Sequence, residues 1–512
     1  MRITSLVFSL FCAAVASSSA VPALIQDEVG SAYPITVSTG NDSVQEFAFT
    51  NAFAIHYTIT MKVNGVAYQV LVDLGSSDTW INPVVQGNVT PPGLIYTGIN
   101  ATIDYLAGGN APADIVLANV TLGPYTINNQ AIGIVNETTV TCPGGYAGLI
   151  GLAGFYSSHR WVLLTRPSQL FKLVPELPNY VTFQLDTKSP YGSELGNGGV
   201  FTIGSVLSDA EEVLDSPVME SLLPGQWMSF LQRVEVNGRT LSGHSNITND
   251  TALGKIVTVP EGNTVVLFDT GSALIQGPSW YVDEIYSGVE GANRTIIGGS
   301  DVAWEVPCDT KLNISWVFDG VTYPLHPVDS THGLLSLDGE YLCIGSILGN
   351  DNLWTIDVDW LMGDRFMGSV YQVFDYGDID VASGPIRGTT QLLGVVDPDQ
   401  AWAETDALLA DRRQKFLEAA KRPPSPCTQD PTPLSMVPTD TRPATWTGST
   451  SPASVTTLAD TAVSSFLATA SELPTGSASV SVGTGTTPSS ASTVSASSPS
   501  TIASATAHSI SA

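Results

Sequence analysis

The chain contains the same short pattern twice, and this repeat restricts the folds open to it. In each copy an apolar, β-branched run ends at an acidic residue, and a tight turn with glycine and serine follows. The first copy is Val70-Leu71-Val72-Asp73-Leu74-Gly75-Ser76-Ser77, and the second is Val265-Val266-Leu267-Phe268-Asp269-Thr270-Gly271-Ser272. Such a run is typical of a buried strand that delivers a carboxylate onto a loop. Two copies far apart in the sequence predict two matching halves that each contribute one carboxylate.

A second repeated element accompanies the turns. A short apolar stretch that ends in glycine occurs at Leu149-Ile150-Gly151, after the first turn, and at Leu361-Met362-Gly363, after the second. With these elements in the same order in both halves, residues 51–397 resemble the pepsin-like aspartic proteases, in particular the secreted fungal type. The resemblance implies an all-β, bilobal fold with the active-site cleft between the lobes. It also implies an aspartic-type endopeptidase, a hydrolase that cuts peptide bonds.

The resemblance gives roles to the residues of both turns. Asp73 and Asp269 match the catalytic dyad of the family, whose two carboxyl groups lie about 3 Å apart and share one proton because both cannot ionise cheaply. The ionised member takes a proton from a water molecule, while the protonated member polarises the carbonyl of the scissile bond. The positions that match residues supporting the dyad in the family are Ser76, Ser272, Thr270, Gly75 and Gly271.

Two aromatic residues match the flap of the family, a hairpin that closes over bound substrate. Residues 103–123 occupy the place of this hairpin, and Tyr105 matches its substrate-contacting tyrosine. Trp80 matches the tryptophan that supports the flap. The family usually follows the tyrosine with Gly-Asp-Gly or Gly-Ser-Gly, whereas this chain has Leu106-Ala107-Gly108. A bulkier flap narrows the subsites beneath it, so we expect altered specificity.

Leu74 departs from the family pattern. The family has threonine there, and its hydroxyl forms hydrogen bonds to the opposite turn, so that the two turns hold each other symmetrically. Thr270 retains its half of this arrangement, but Leu74 has no hydroxyl. Leaving a buried N–H unpaired costs about 1–3 kcal/mol unless the site repacks. We therefore expect a looser dyad geometry, with both acids still present.

Composition and resemblance together divide the chain into six parts. A secretory signal typically begins with a basic residue, continues as an apolar run and ends in small residues, and residues 1–20 follow this pattern from Arg2 to Ala20. No Lys or Arg lies between Arg2 and Lys62, so the basic prosegment that the resemblance implies is absent. The predicted parts are a signal peptide (1–20), a short prosegment or N-terminal extension (21–53), an N-terminal lobe (54–225), a C-terminal lobe (226–397), a helical extension (398–422) and a Ser/Thr/Pro-rich disordered stalk (423–512).

Local patterns add detail to these parts. Alternation over residues 55–63 and the Asn64-Gly65 turn predict a hairpin that leads into Asp73, with His56 on its surface. Apolar residues spaced among charges over 398–421 predict a surface helix, which either packs on the protease or leads out of it. Cys308 and Cys343 match a disulfide of the family's second lobe, while the pairing of Cys142 and Cys427 is left open. A signal peptide and nine Asn-x-Ser/Thr sites predict a secreted glycoprotein, extracellular or associated with the cell wall.

The charge of the chain limits its partners. A formal net charge of −29 argues against binding to nucleic acid or to anionic membrane surfaces. It fits either a protein adapted to acid or simple solubility, and both explanations remain open. No stretch after the signal is apolar enough to span a membrane. The scattered histidines predict no metal site, no cofactor motif is present, and one chain supplies both aspartates, so we expect a monomer that acts on protein or peptide substrates.

Three functions are compatible with these features. The first is an active acid endopeptidase, which the full set of dyad, serine and flap residues favours. The second is a catalytically silent pepsin-like scaffold that binds peptides or proteins, which Leu74, the altered flap and the missing basic prosegment motivate. The third is an adhesion module tethered to the cell wall, which is supported by the predicted stalk alone.

Overall fold

The structure, a computed structural model, describes the part of the chain that contains both predicted turns. It covers residues 56–85, 87–105, 110–136, 146–153, 174, 177–188, 198–297, 301–335, 340–377, 387–419 and 421, together with the backbone of three short strands at 36–39, 46–48 and 50–52. The predicted signal peptide, the altered flap residues 106–109, Cys142, Cys427 and the Ser/Thr/Pro-rich stretch lie outside the described residues. The predicted boundaries between the six parts stay predictions.

The described chain consists mostly of strands. The strands before residue 225 are β1 (Thr36–Thr39), β2 (Glu46–Ala48), β3 (Thr50–Ala52), β4 (His56–Val63), β5 (Val66–Asp73), β6 (Thr79–Ile81), β7 (Ile95–Asp104), β8 (Asn110–Leu122), β9 (Tyr125–Val135), β10 (Gly148–Gly151), β11 (Tyr180–Leu185), β12 (Gly199–Ile203) and β13 (Met219–Glu220).

The strands after residue 225 continue this numbering. They are β14 (Met228–Leu231), β15 (Arg233–Val236), β16 (Arg239–Leu241), β17 (Thr264–Phe268), β18 (Ile275–Gly277), β19 (Asn293–Ile297), β20 (Asp301–Val306), β21 (Ile314–Phe318), β22 (Val321–Pro324), β23 (Thr331–Leu335), β24 (Tyr341–Gly345), β25 (Ile347–Gly349), β26 (Trp360–Met362), β27 (Val370–Asp375) and β28 (Thr389–Gly394).

Two large sheets form the two lobes. The first has the strand order β1-β9-β6-β10-β5-β4-β8-β7, with β3 paired to β4, and the second has the order β14-β17-β26-β18-β25-β20-β24-β23, with β19 paired to β20. A six-stranded sheet, β13-β28-β27-β11-β12-β2, takes strands from both parts of the chain, and a four-stranded sheet, β16-β15-β21-β22, belongs to the second lobe. The all-β, bilobal fold predicted from the sequence is confirmed.

The repeated sequence elements occupy equivalent places in the two large sheets. In the first, β5 runs parallel to β10, which contains the glycine stretch, with Val72 opposite Ile150. In the second, β17 runs parallel to β26, with Leu267 opposite Leu361. Strands paired in this way are covered on both faces, which is why their sequences are continuously apolar rather than alternating. Each aspartate therefore leaves a rigid, buried strand.

One local prediction was wrong. The hairpin of β4 and β5 forms as expected around Asn64-Gly65, but His56 is buried, with 1% of its surface exposed. Strand β3 pairs with this end of β4, and the Tyr146 ring lies 5.3 Å from the imidazole. Burial lowers the pKa of His56 to about 3, so the ring is neutral.

Three α-helices lie outside the sheets of the described chain: α1 (Ser279–Tyr286), α2 (Asp364–Met367) and α3 (Pro398–Ala419). Helix α3 is the predicted helical extension, and it packs on the protease instead of leading away from it. Its buried positions are Ala401, Thr405 and Arg412, whereas Trp402 is 43% exposed. Within the described residues, no helix is both long enough and apolar enough to cross a membrane.

A disulfide joins Cys308 to Cys343 in the second lobe, as the family resemblance implies. Cys308 follows the end of β20, and Cys343 lies in β24 directly opposite Val306 of β20. The Cα atoms of the two cysteines are 5.1 Å apart. The bond therefore reinforces a pairing of strands that already exists.

Candidate active site

The two predicted turns meet in the interior of the protein. Asp73 is the last residue of β5, and Asp269 directly follows β17. Both side chains have 0% of their surface exposed. A carboxylate without solvent is costly unless it is protonated or accepts hydrogen bonds. The contacts around each aspartate therefore indicate how its charge is accommodated.

Both carboxyl groups accept hydrogen bonds from their own turns, in matching patterns. The Gly75 N–H donates to Asp73 Oδ1 at 2.8 Å, and the Gly271 N–H donates to Asp269 Oδ1 at 2.8 Å. The Ser76 hydroxyl donates to Asp73 Oδ2, and the Ser272 hydroxyl donates to Asp269 Oδ2 at 2.7 Å. Each turn thus fixes the orientation of its own carboxyl group, and the two turns do so with the same pair of donors, a glycine N–H and a serine hydroxyl.

The two glycines bring the carboxyl groups together. A Cβ atom placed on Gly75 would lie 2.5 Å from Asp269 Oδ1, and one placed on Gly271 would lie 2.5 Å from Asp73 Oδ1. Real Cβ atoms do not approach oxygen so closely, so a larger residue at either position would displace the opposite aspartate. Each turn therefore passes directly against the carboxyl group of the other.

This proximity affects the protonation of the pair. Burial raises the pKa of Asp73 well above its ordinary value, and the charge of Asp269 raises it further. Burial also raises the pKa of Asp269, against the hydrogen bonds from Ser272, Asp73 and the turn N–H groups. Because the groups interact strongly, their titration belongs to the pair and not to either residue. The pair holds a proton at acidic pH, when an isolated carboxyl group would already be ionised.

Thr270 joins the two turns through two hydrogen bonds of its hydroxyl group. Thr270 Oγ1 accepts from the Leu74 N–H at 3.1 Å and donates to Val72 O at 2.8 Å. Leu74, at the equivalent position of the first turn, is completely buried within the main apolar core. The hydrogen bonding by these two equivalent residues is thus one-sided. Thr270 forms hydrogen bonds to the first turn, whereas Leu74 packs in the apolar core.

Trp80 and Tyr105 lie together beside the first turn. The Trp80 indole N–H donates to the Tyr105 hydroxyl, and both rings are buried. They belong to an apolar cluster that also contains Leu71 of β5 and Leu149 of β10. Tyr105 follows the last residue of β7, and β7 pairs with β8 as a hairpin whose final pair is Asp104 with Asn110. The tyrosine therefore lies at the turn end of the hairpin that the sequence predicts as the flap.

Two further acids near the turns were not singled out by sequence reasoning. Asp78 and Asp364 are buried, and neither has a hydrogen-bond partner for its carboxyl oxygens among the described residues. Burial raises the pKa of Asp78 to about 8. Burial, and then the charge of Asp269, raises the pKa of Asp364 well above its ordinary value. Asp78 follows the first aspartate turn, and Asp364 follows the second glycine stretch. An acidic residue next to these apolar motifs is the sequence signal that could have identified both.

The described residues contain no group of three or more His, Cys, Asp and Glu side chains placed to hold a metal ion. The arrangement that is present consists of two facing carboxyl groups, each held by a serine and a backbone N–H. Such a pair suits the activation of a water molecule by a proton-sharing dyad. With the bilobal β fold around it, this arrangement defines the class of pepsin-like aspartic proteases.

Comparison with known proteins agrees with this class. A family model for eukaryotic aspartyl proteases matches residues 95–386, more than half of the chain. The chain therefore belongs to the eukaryotic aspartyl protease family and is an aspartic-type endopeptidase. The matched range includes Asp269 and Tyr105 but begins after Asp73. The roles of the first-turn residues are therefore supported by the sequence pattern and the geometry, and not by this match.

Individual relatives extend the similarity over more of the chain. Major aspartyl peptidase 1 of Cryptococcus neoformans is 22% identical over 371 residues, which cover 69% of this chain and 72% of that protein. Cathepsin E-B of Xenopus laevis is 26% identical over 373 residues, covering 69% of this chain and 84% of that protein. An aspartic protease of Phaffia rhodozyma is 23% identical over 347 residues, covering 64% and 75%.

Proposed function

We propose that this protein is a secreted acid endopeptidase whose catalytic dyad is Asp73 and Asp269. The observation that carries the proposal is the reciprocal approach of each carboxyl group to the glycine of the opposite turn, which leaves no room for a side chain at either glycine. Raised pKa values of both acids, caused first by burial, support a pair that keeps one proton in acid. Such a pair contains a base and an acid side by side.

The proposed reaction uses both members of the pair. The ionised carboxylate takes a proton from a water molecule, whose oxygen attacks the carbonyl carbon of the scissile peptide bond. The protonated member donates a hydrogen bond to the carbonyl oxygen as negative charge develops there. That member then transfers its proton to the oxygen, which gives a tetrahedral diol and leaves one proton on the dyad. The nitrogen of the leaving amine takes this proton as the C–N bond breaks, while one hydroxyl of the diol returns a proton to the dyad. The products are one carboxylic acid and one amine, and the dyad returns to its single-proton state.

The supporting residues are assigned by their contacts. Ser76 and Ser272 each donate to one carboxyl group, so they favour the ionised form and fix its orientation. Trp80 holds the Tyr105 hydroxyl at the turn end of the hairpin, where the ring can lie over an extended peptide. We assign Tyr105 to substrate binding and Trp80 to holding it in place.

Secretion has support from the surface of the protein as well as from residues 1–20. Eight of the nine Asn-x-Ser/Thr asparagines lie within the described residues, and all eight are exposed, as acceptors of glycans must be. They are Asn88, Asn100, Asn119, Asn136, Asn246, Asn249, Asn293 and Asn313. The Cys308–Cys343 disulfide also fits an oxidising compartment. Attachment to a cell wall through the Ser/Thr/Pro-rich stretch is part of the same proposal.

The test is cleavage of a denatured general protein substrate by the purified mature chain between about pH 3 and pH 7. Wild type should cleave with an acidic optimum, and Asp269→Asn should abolish cleavage without unfolding the protein, because the amide cannot act as the base. Leu74→Thr restores the hydroxyl that the family has at this position, so a gain in rate would measure the effect of the one-sided connection. A folded wild type without cleavage would refute the peptidase proposal, and absence of cleavage by wild type and both variants would favour a peptide-binding scaffold.

A further inference from the structure

Helix α3 inserts one arginine into the interior of the protein. Arg412 is 6% exposed, whereas the neighbouring Arg413 lies on the surface beside the Tyr341 ring. The Arg412 guanidinium donates to Val328 O, to Thr187 O at 2.6 Å and to Asp329 Oδ1 at 2.7 Å. A planar guanidinium with three fixed acceptors has a single orientation. The helix is therefore anchored by a buried, charged side chain.

The Asp329 carboxylate joins Arg412 to a second buried arginine. Asp329 is completely buried, and its Oδ1 atom also accepts from Arg365 Nη1 at 2.7 Å. Its Oδ2 atom accepts from Thr187 Oγ1 at 2.6 Å. Burial acts to raise the pKa of Asp329, but the charges of Arg412 and Arg365 outweigh it and lower the pKa to about 2. One carboxylate thus holds two cations, and the cluster has a net positive charge.

Arg365 links this cluster to the catalytic turn of the second lobe. It lies in α2 directly after Asp364, and the Asp364 N–H donates to Ser272 O at 2.8 Å. The Ser272 hydroxyl in turn donates to Asp269 Oδ2 at 2.7 Å. A short path of covalent and hydrogen bonds therefore runs from Arg412, through Asp329 and Arg365, to the carboxyl group of Asp269.

This path passes through closely packed structure. A Cβ atom on Gly363 would lie 2.3 Å from Ser272 O, so the start of α2 is in direct contact with the turn. All four residues of α2 are buried, and Arg365 Nη2 lies 2.7 Å from His332 Nδ1. Burial, and then the charge of Arg365, lowers the pKa of His332 well below its ordinary value, so the ring is neutral and accepts this hydrogen bond. In a close-packed interior, a shift of α2 moves its neighbours instead of being absorbed.

We propose that Arg412 is a positioning residue for catalysis: from helix α3, beyond the strands of the second lobe, it holds Arg365 and α2 in place and thereby fixes the geometry of the Asp269 carboxyl group. The inference rests on the proposed function, in which Asp269 is a member of the dyad. It assigns a catalytic contribution to a helix outside both lobes.

The competing explanation is that α3 merely stabilises the fold. Helix α3 offers a matched control, because Glu404 also ties it to the rest of the protein. Glu404 lies 2.8 Å from Lys188 Nζ and 3.0 Å from His326 Nε2. These contacts anchor the helix near its first turns. Glu404 itself contacts neither Asp329 nor Arg365, and the bond that links its partner His326 to Asp329 joins backbone atoms, the Asp329 N–H and His326 O, which Glu404→Gln does not alter. Loss of the Glu404 contacts should therefore loosen the docking of the helix without disturbing the path to the dyad.

The experiment uses the full mature chain and compares Arg412→Met, Arg412→Lys and Glu404→Gln with wild type. Thermal unfolding and steady-state cleavage of a fluorogenic peptide are measured, with cleavage at least 15 °C below each melting temperature. We expect Arg412→Met to lower kcat by about tenfold or more with KM nearly unchanged, because small misplacements of a reacting group are costly. Arg412→Lys keeps the charge but not the three contacts, so its kcat should be intermediate. Glu404→Gln should lower the melting temperature and leave kcat within about twofold of wild type.

Thr187→Val provides a second route if Arg412→Met does not fold. It removes one hydrogen bond to Asp329 Oδ2 and no charge, and a smaller fall in kcat, about twofold to fivefold, is expected. Wild-type kcat in both Arg412→Lys and Thr187→Val would overturn the inference, as would equal losses of kcat in the Arg412 and Glu404 variants. In either case the proposed function would stand, because wild type would be active and Asp269→Asn inactive. An inactive wild type would overturn both proposals.

Discussion

Asp78 is a buried acid for which the structure predicts a large effect of pH on stability. It lies in the first turn, completely enclosed, with no hydrogen-bond partner for its carboxyl oxygens among the described residues. Burial raises its pKa from 3.8 to about 8. The folded protein therefore keeps Asp78 protonated at neutral pH, whereas the unfolded chain releases that proton. We predict that Asp78→Asn stabilises the protein at pH 7 and has little effect at pH 4.

The size of the effect follows from the difference in pKa between the two states. A group whose pKa is raised by folding contributes full stability below its unfolded value, and that contribution is lost as pH rises towards the folded value. For Asp78 the window runs from 3.8 to about 8. At about 1.4 kcal/mol for each pH unit, the cost at pH 7 is about 4 kcal/mol. Asparagine is equally buried and has no such cost, so the variant should gain about this amount at pH 7.

Urea denaturation of wild type and Asp78→Asn at intervals between pH 4 and pH 7.5 measures this difference. Ser77→Ala is the matched control, since it changes the neighbouring buried hydroxyl, which also has no partner among the described residues. Its effect should be the same at every pH. If the free energies of unfolding of wild type and Asp78→Asn ran parallel from pH 4 to pH 7.5, Asp78 would be ionised in the folded protein, and the reasoning from burial would be refuted.

Three further changes test separate parts of the site and fold. Thr270→Val removes the hydroxyl that makes both side-chain hydrogen bonds between the turns, and urea denaturation should show a loss of about 2–4 kcal/mol, whereas Thr270→Ser should cost less than about 1 kcal/mol. Tyr105→Phe leaves the buried Trp80 indole N–H without this acceptor and should cost about 1–2 kcal/mol by the same assay. Replacing both Cys308 and Cys343 by alanine opens a link between residues 35 positions apart and should lower the free energy of unfolding by about 3–4 kcal/mol.

The sequence was sufficient to predict the parts of the fold that repeat. An apolar run followed by Asp and a Gly-Ser turn, with a later glycine stretch, occurs in both halves, and each copy forms the same parallel pair of strands. These elements are local, because every residue that shapes a turn lies within a few positions of its aspartate. A local sequence pattern predicts structure well when the conformation that its residues prefer is also the one that the tertiary structure requires.

The arginine cluster could not be predicted, for a physical reason. Its members, Thr187, Asp329, Arg365 and Arg412, come from four distant segments, and no periodicity connects them. Arg412 lies in a helix with many charges, where arginine is ordinarily solvated, so the pattern indicated a surface position. What buries it is the coincidence of two carbonyl oxygens and one carboxylate at the docking site of the helix. The same limit explains His56, whose strand alternates correctly while another strand and the Tyr146 ring cover it.

The structure also bears on whether acid adaptation resides in the surface charge of −29 or elsewhere. Within or directly beside the repeated motifs, four buried carboxyl groups have pKa values raised first by burial: Asp73, Asp78, Asp269 and Asp364. Each contributes stability in acid that is lost as pH rises, whatever the surface charge. Asp329 acts in the opposite direction, since its pKa of about 2 gives stability that is present above an unfolded value near 4 and lost as pH falls through about 2. His56, neutral down to about pH 3, also opposes acid. Because these four carboxyl groups lie in or beside the two motifs, the greater stability in acid that they predict originates in the same buried centre that we propose performs the chemistry.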